Sequence, residues 1–396
     1  MRVEQPQPPA YRRREFIGLA AGGVAAVSLG AGVWKGVLEG AQKMRRGGTG
    51  YGPLRPLDEH GIRLPEGFRS QLIARGGWLV PGSDYRWHTA SDGAATFPTR
   101  DGGWILVSNS EELKGGASAI RFGSAGQIRD AYRILYGTTQ NCSGGGTPWG
   151  TWLSCEEVEG GYVWECDPTG RRRARRLPAL GAFKHEAASV DPRERRVYLT
   201  EDLKDGLLYR FTPTHWPSLE AGLLEAASVS AGGSVSWTEV PDPAARSTET
   251  RDQQPTASRF KRAEGIWYDD GTVYIATTVD SRVHAYEVRR QRIEVIYDGL
   301  ASVEAPLLRV DQLTGSRAGE LFVCEDIATE EIDMGVIDRS GAVSRFLSVT
   351  GREHEGSELT GAAFDPSGRR LYFSSQRAFR TGAIYVISGP FRQPRA

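Results

Sequence analysis

The chain has 396 residues, 39% of them hydrophobic and 25% charged, which places it among globular proteins and excludes a mostly disordered chain. Its 49 Lys and Arg balance its 49 Asp and Glu, but residues 1–50 are basic, so the remainder is slightly acidic and offers nucleic acid no general attraction. Ten Trp and fourteen Tyr favour strands and turns over helices.

Residues 11–17 read Tyr-Arg-Arg-Arg-Glu-Phe-Ile, and a Gly- and Ala-rich, weakly hydrophobic run from Phe16 to Trp34 follows, closed by Lys35. The pattern Arg13-Arg14-x-Phe16-Ile17 is that of a twin-arginine export signal, with Arg12 where Ser or Thr is usual and Gly18 where Lys is common. The run is barely long enough to span a bilayer and its glycines make a poor membrane helix; kept uncleaved, it would be an anchor. The expectation is a periplasmic or secreted protein that engages the twin-arginine machinery, with residues 1–50 as signal and linker and no other membrane segment. That route carries folded proteins, which suits one that loads metal first.

From about residue 51 onward the chain shows short strands and turns instead of helical periodicity. One unit recurs: a small or apolar strand, a tight turn, then an apolar strand with an aromatic. Its clearest copies are 187–199, 265–275 and 361–373, turning at Asp191-Pro192, Asp270-Gly271 and Asp365-Pro366. The second strands align at Ile105, Trp152, Val197, Val273, Leu321 and Leu371, with spacings of 47, 45, 76, 48 and 50. Six such units predict an all-β, six-bladed β-propeller over 51–396; a pair of β-sandwiches would not keep so constant a period. The long spacing reads as a loop insertion over 213–260. The basic run Arg171–Arg176 is isolated, has few aromatics beside it, and reads as a solvated hairpin or loop.

In a propeller the innermost strand starts at the face where the second strand ends. At starts of innermost strands stand Cys142, Glu186, Glu264 and Glu358; at ends of second strands stand Glu156-Glu157, Glu201-Asp202 and Glu325-Asp326. Gathered at one axis, these acids would repel unless cations neutralise them. Carboxylates suit hard cations such as calcium, and a thiolate needs a softer one such as iron or zinc, so the mixed set points to more than one kind of metal. His185 reads equally well as a ligand, a neighbour of one, or a structural histidine.

The segment 141–157, Asn-Cys-Ser-Gly-Gly-Gly-Thr-Pro-Trp-Gly-Thr-Trp-Leu-Ser-Cys-Glu-Glu, resembles the hallmark of the PhoX-type alkaline phosphatases, as do Lys184-His185-Glu186-Ala187-Ala188, Arg262-Ala263-Glu264-Gly265-Ile266 and Ser357-Glu358-Leu359-Thr360-Gly361. The resemblance implies a propeller with two irons bridged by Cys142, together with calcium, and Glu157, Glu186 and Glu264 as metal ligands. It implies that Arg262 contacts the phosphate. Glu325-Asp326 stand where the family has an Asp-Asn-like pair. Peripheral loops of the family are missing from this shorter chain.

The expected activity is hydrolysis of phosphate monoesters by a monomer, without a protein nucleophile; Ser143 lies in a Gly-rich loop that lets backbone approach the metals. A calcium-dependent lactonase or phosphotriesterase, or a non-catalytic exported binding propeller, would give no role to Cys142. Cys155 and Cys166 flank Gly160-Gly161 symmetrically and read equally as a cross-strand disulfide or as free thiols, and Cys324 as core.

Overall fold

The computed structural model describes residues 50–327 and 329–394; the proposed export signal lies outside them. Among the described residues the chain forms six antiparallel sheets, four built from strands consecutive in sequence and two from consecutive strands joined by one strand from the start of the described chain. Blade 1 is Ser91–Pro98, Trp104–Ser110, Gly116–Phe122 and Ile128–Leu135; blade 2 is Asn141–Gly146, Trp152–Glu156, Val163–Cys166 and Arg175–Arg176. Blade 3 is His185–Asp191, Arg196–Glu201, Leu208–His215, Ser218–Val229 and Val235–Glu239; blade 4 is Ala263–Asp269, Thr272–Thr277, Arg282–Glu287 and Arg292–Asp298. Blade 5 is Val310–Gly315, Leu321–Glu325, Glu331–Ile337 and Val343–Thr350, with Ile62–Arg63 on its edge. Blade 6 is Leu359–Phe364, Arg370–Ser375 and Ala383–Ser388, and its fourth strand is Arg69–Arg75, from the other end of the chain. Completing the last blade with a strand from the other end of the described chain ties the circle. All six second-strand anchors lie in second strands.

The core is divided as the period-2 pattern requires, because a strand between two neighbours must bury both faces. Trp104 and Leu106 pack with Ile384 of blade 6, whereas Ile105 and Val107 pack with Trp152 of blade 2. Val197 and Leu199 meet Leu153 and Val163 of blade 2; Tyr198, between them, meets Val273 and Tyr286 of blade 4. Val283 and Tyr297 close against Val323 and Ile337, and Phe322 and Phe346 against Phe373 and Tyr385. Each pair of neighbouring blades thus shares one apolar layer.

The same alternation decides the cysteines. Cys155 lies opposite Val163 and packs toward blade 3, whereas Cys166 lies opposite Trp152 and packs toward blade 1. They sit on opposite faces of one sheet, so symmetry about the turn does not make them a pair, and all four cysteines are free.

Two segments differ from expectation. Residues 213–260 are not loop throughout: they lengthen the third strand of blade 3 and supply its fourth and fifth, with Leu219 and Leu224 buried against blade 2 and Val235 toward blade 4. The glycines 144–146 are in an innermost strand, not a loop. A Cβ on Gly145 would meet Ala188 O at 1.9 Å, so glycine lets two innermost strands close around the axis.

Candidate metal centre

One local geometry recurs around the axis. The last residue of each second strand lies opposite Ser91, Asn141, His185, Ala263, Val310 or Leu359, and within two residues the ladder slips by a bulge. A bulge re-aims the side chain it displaces. The residues at this position are Asp92, Cys142, Glu186, Glu264, Asp311 and Thr360; the first five fall within the slip and can ligate a cation, while Thr360 stays paired with Ser374. Above them a rim repeats in all six blades. The residue after each second strand donates its N–H to the carbonyl of the residue before the innermost strand: Glu111 to Ala90, Glu157 to Gln140, Asp202 to Lys184, Thr278 to Arg262, Asp326 to Arg309 and Gln376 to Glu358, at 2.9–3.3 Å. Ala90, Gln140, Arg262 and Arg309 take φ of 42–53° to make this turn, a conformation uncommon outside glycine.

These positions bring three groups together. Asp92, Glu111 and Cys142 form one triad; Cys142, Glu157 and Glu186 a second; Glu186, Glu264 and Asp311 a third, the ligating atoms of each lying within 4.8 Å of one another. Cys142 belongs to two triads and Glu186 to two, so the three are contiguous. Cys142 Sγ stands 3.3 Å from Glu186 Oε1.

The electrostatics single out what lacks compensation. Along the rim of blades 2–5 charges alternate: Lys184 Nζ is 2.7 Å from Glu157 and 3.0 Å from Asp202, Arg262 is 2.6 Å from Asp202 and 3.4 Å from Asp326, and Arg309 is 2.7 Å from Asp326. Burial alone would raise the Asp202 and Asp326 carboxyls, but Arg262 and Lys184 around the first, and Arg309 and Arg262 around the second, hold both below the usual range. The deeper ring has less help. Burial, then the neighbouring carboxylates, pushes Glu186 and Asp311 well above the ordinary range, and burial with Asp92 and Glu186 does the same to the Cys142 thiol. Glu186 Oε2 and Asp311 Oδ1 are buried without a hydrogen-bond partner. Oxygens and a sulfur converging with too few donors to satisfy them fit cations and would be costly without them.

The two acids of each pair divide their work. Glu156 accepts from the N–H of Thr139 and Tyr162 and from the Trp164 indole; Glu201 accepts from Leu207 N–H and the Tyr209 hydroxyl, with Arg251 at 3.6 Å; Glu325 accepts from the N–H of Leu308 and Asp333. These first acids tie loops to the blade and stand outside the triads. The second acids reach the funnel: Glu157 joins a triad, while Asp202 and Asp326 hold the rim cations. Glu358 is half-buried on the rim beside Asp326 and enters no triad. His185 turns away from the funnel: its ring stacks on Phe183 at 3.6 Å, its Nε2 meets Gly181 O at 3.1 Å, and burial lowers its pKa to about 3. Arg262 also reaches Glu264 at 2.7 Å.

Asp92, Glu111 and Asp311 did not stand out in the sequence. Asp311 precedes its anchor Leu321 by the same interval as Cys142 precedes Trp152, and that offset was the available signal. With Gln312 it makes an acid–amide pair in the deep ring, one strand before Glu325-Asp326.

Residues 113–297 match the family model for alkaline phosphatase PhoX. Those residues include Cys142, Glu157, Glu186, Arg262 and Glu264. A comparison with curated protein sequences gives no match. Among solved structures, PhoX of Pseudomonas fluorescens, in complex with vanadate, a transition state analogue, is similar with a TM-score of 0.71 at 18% identity, over 85% of this chain and 97% of that one. A gluconolactonase of Xanthomonas campestris gives 0.50 at 14% identity, over 86% and 98%. At these identities the structures establish the six-bladed fold, and over residues 113–297 the chain matches the alkaline phosphatase PhoX family, the phosphatase family that its motifs resemble.

Proposed function

We propose that the chain is an exported phosphomonoesterase that hydrolyses small phosphate esters with iron and calcium held in the funnel. The observation that carries this reading is the place of Cys142 in two adjoining triads, with a half-buried arginine on Glu264 of the third. A thiolate shared by two sites suits a bridged pair of irons, and the all-carboxylate group Glu186, Glu264 and Asp311 suits calcium. Bound there, the cations would supply Lewis-acid activation of the phosphoryl group and of water.

The chain's own residues would do the rest. Arg262 presents a forked donor set above the triads and would turn it from carboxylates to the phosphoryl oxygens, neutralising charge there. Asp202 and Asp326, on either side, fix the direction in which that fork can turn. Ser143 donates its hydroxyl to Gln312 at 3.0 Å and serves the floor of the chamber, consistent with a reaction that uses no protein nucleophile. Export by the twin-arginine route rests on residues 11–35; no described helix is long and apolar enough to cross a membrane.

The test is metal content and hydrolysis of a chromogenic phosphate monoester by the mature chain and by Cys142→Ala, with vanadate as inhibitor. Iron with calcium in the parent, and loss of iron and activity in the variant, supports the reading. Calcium alone with an unimpaired variant would favour a lactonase-like or binding propeller.

A further inference from the structure

The rim holds a cation that bridges a member of one triad and a rim carboxylate. Lys184 Nζ lies 2.7 Å from Glu157 Oε1, and Glu157 is a member of the middle triad. The same ammonium lies 3.0 Å from Asp202 Oδ2, and Arg262 Nη2 lies 3.1 Å from that same oxygen. The two cationic nitrogens therefore lie no more than about 6 Å apart, close enough to share one tetrahedral anion. Lys184 is half-buried at the mouth of the funnel, on a flexible stem that can move an ammonium by several bonds without disturbing the backbone. With the triad unfilled, the ammonium offsets part of the charge that a cation would otherwise offset. With a cation on Glu157, that carboxylate has less to offer the lysine, and the two positive charges repel.

We propose that Lys184 is the stand-in cation of the unfilled middle triad, and that a cation taking Glu157 releases its ammonium to an anion seat shared with Arg262, so that loading of the triad precedes phosphate binding. The proposal rests on the phosphatase reading for its second half and on charge geometry alone for its first. It makes metal and phosphate positively coupled through one side chain.

The experiment uses the metal-depleted chain, cobalt(II) as the probe cation, and inorganic phosphate as the probe anion. Cobalt uptake is followed by the thiolate charge-transfer absorption that Cys142 would give, and phosphate binding by calorimetry. Lys184→Gln should bind cobalt about tenfold more tightly than the parent, since the internal competitor is gone, and should melt at a lower temperature when depleted. Loaded with cobalt, the same variant should bind phosphate about tenfold more weakly, and Lys184→Arg should restore much of that binding. A merely structural lysine would weaken both ligands together. Cobalt affinity unchanged or lowered in Lys184→Gln overturns the stand-in role. Phosphate bound equally by depleted and loaded parent overturns the ordered binding, and this arm needs no variant to fold. If the loaded parent binds no phosphate at all, the phosphatase reading fails, while the cobalt result still decides the first half.

Discussion

Ser143 and Gln312 meet across the propeller axis. They stand on blades 2 and 5, opposite each other in the circle, and the Ser143 hydroxyl donates to Gln312 Oε1 at 3.0 Å. The Gln312 amide donates in turn to Glu186 Oε1 at 3.2 Å. Beyond the pair lies a cavity of about 1090 Å³, with Ala94, Gly145, Ala188, Trp267 and Phe364 in its wall. The pair is thus both the floor of the carboxylate chamber and the ceiling of that cavity.

Gln312→Ala should remove the floor and the amide that donates to Glu186. The expected cost is about 1–3 kcal/mol of stability, the usual range for a buried partner lost. A chelator should also strip metal from the variant faster than from the parent. Equal stripping rates would show that the pair does not close the chamber.

The division of labour within the acid pairs gives opposite phenotypes at neighbouring or equivalent positions. Glu201→Ala leaves the Leu207 N–H and the Tyr209 hydroxyl without their buried acceptor and should cost about 2–4 kcal/mol, with metal content unchanged. Glu157→Ala should lower metal content. Urea unfolding and elemental analysis of the two variants check the contrast.

Acid should unfold the protein partly through two histidines outside the candidate metal centre. Burial, with Arg133 nearby, lowers His88 to about 3, and burial with Arg282 lowers His284 to about 4, each from an ordinary value of 6.5. The unfolded chain therefore binds more protons than the folded one between these values. Their contribution is fully present above pH 6.5 and is lost as pH falls through that window, by about 1.4 kcal/mol per pH unit for each histidine. Urea midpoints for the parent and His88→Gln at pH 7, 6 and 5 should show a shallower slope in the variant.

The four thiols should all be alkylated in the unfolded, unreduced protein, and reductant should leave the melting temperature unchanged. A mass consistent with a Cys155–Cys166 bond would mean that the blade 2 sheet does not hold the register seen here, with Cys155 opposite Val163 and Cys166 opposite Trp152.

Much of this was legible in the sequence because a propeller repeats. The interval between anchors such as Val273 and Leu321 is set by four strands and their turns, and apolar residues on both faces of a strand are visible as runs. The chemistry was legible where the motif is long, as around Cys142, or where an arginine and an acid stand two residues apart, as at Arg262 and Glu264. What stayed hidden depends on the bulge. Glu325 and Asp326 are neighbours of the same charge, and no sequence pattern says that the first accepts backbone N–H groups while the second faces the funnel. Asp92 and Asp311 lie in ordinary-looking strands, and only a register slip turns them toward the axis.

Asp311→Asn separates charge from shape at the deepest point of the ring. The substitution keeps the size of the side chain and removes one negative charge from a buried group that faces Glu186 and Glu264. If the ring is strained by like charge and relieved by cations, the metal-depleted variant should be more stable than the depleted parent, by about 1–3 kcal/mol. The same change should weaken calcium binding, because a carboxylate oxygen is replaced by a weaker amide oxygen. Depleted and calcium-loaded melting curves of both proteins therefore cross: the variant is higher when depleted, the parent higher when loaded. A variant less stable in both states would mean that Asp311 supports the fold through contacts and not through its charge, and the third triad would lose its standing as a cation site.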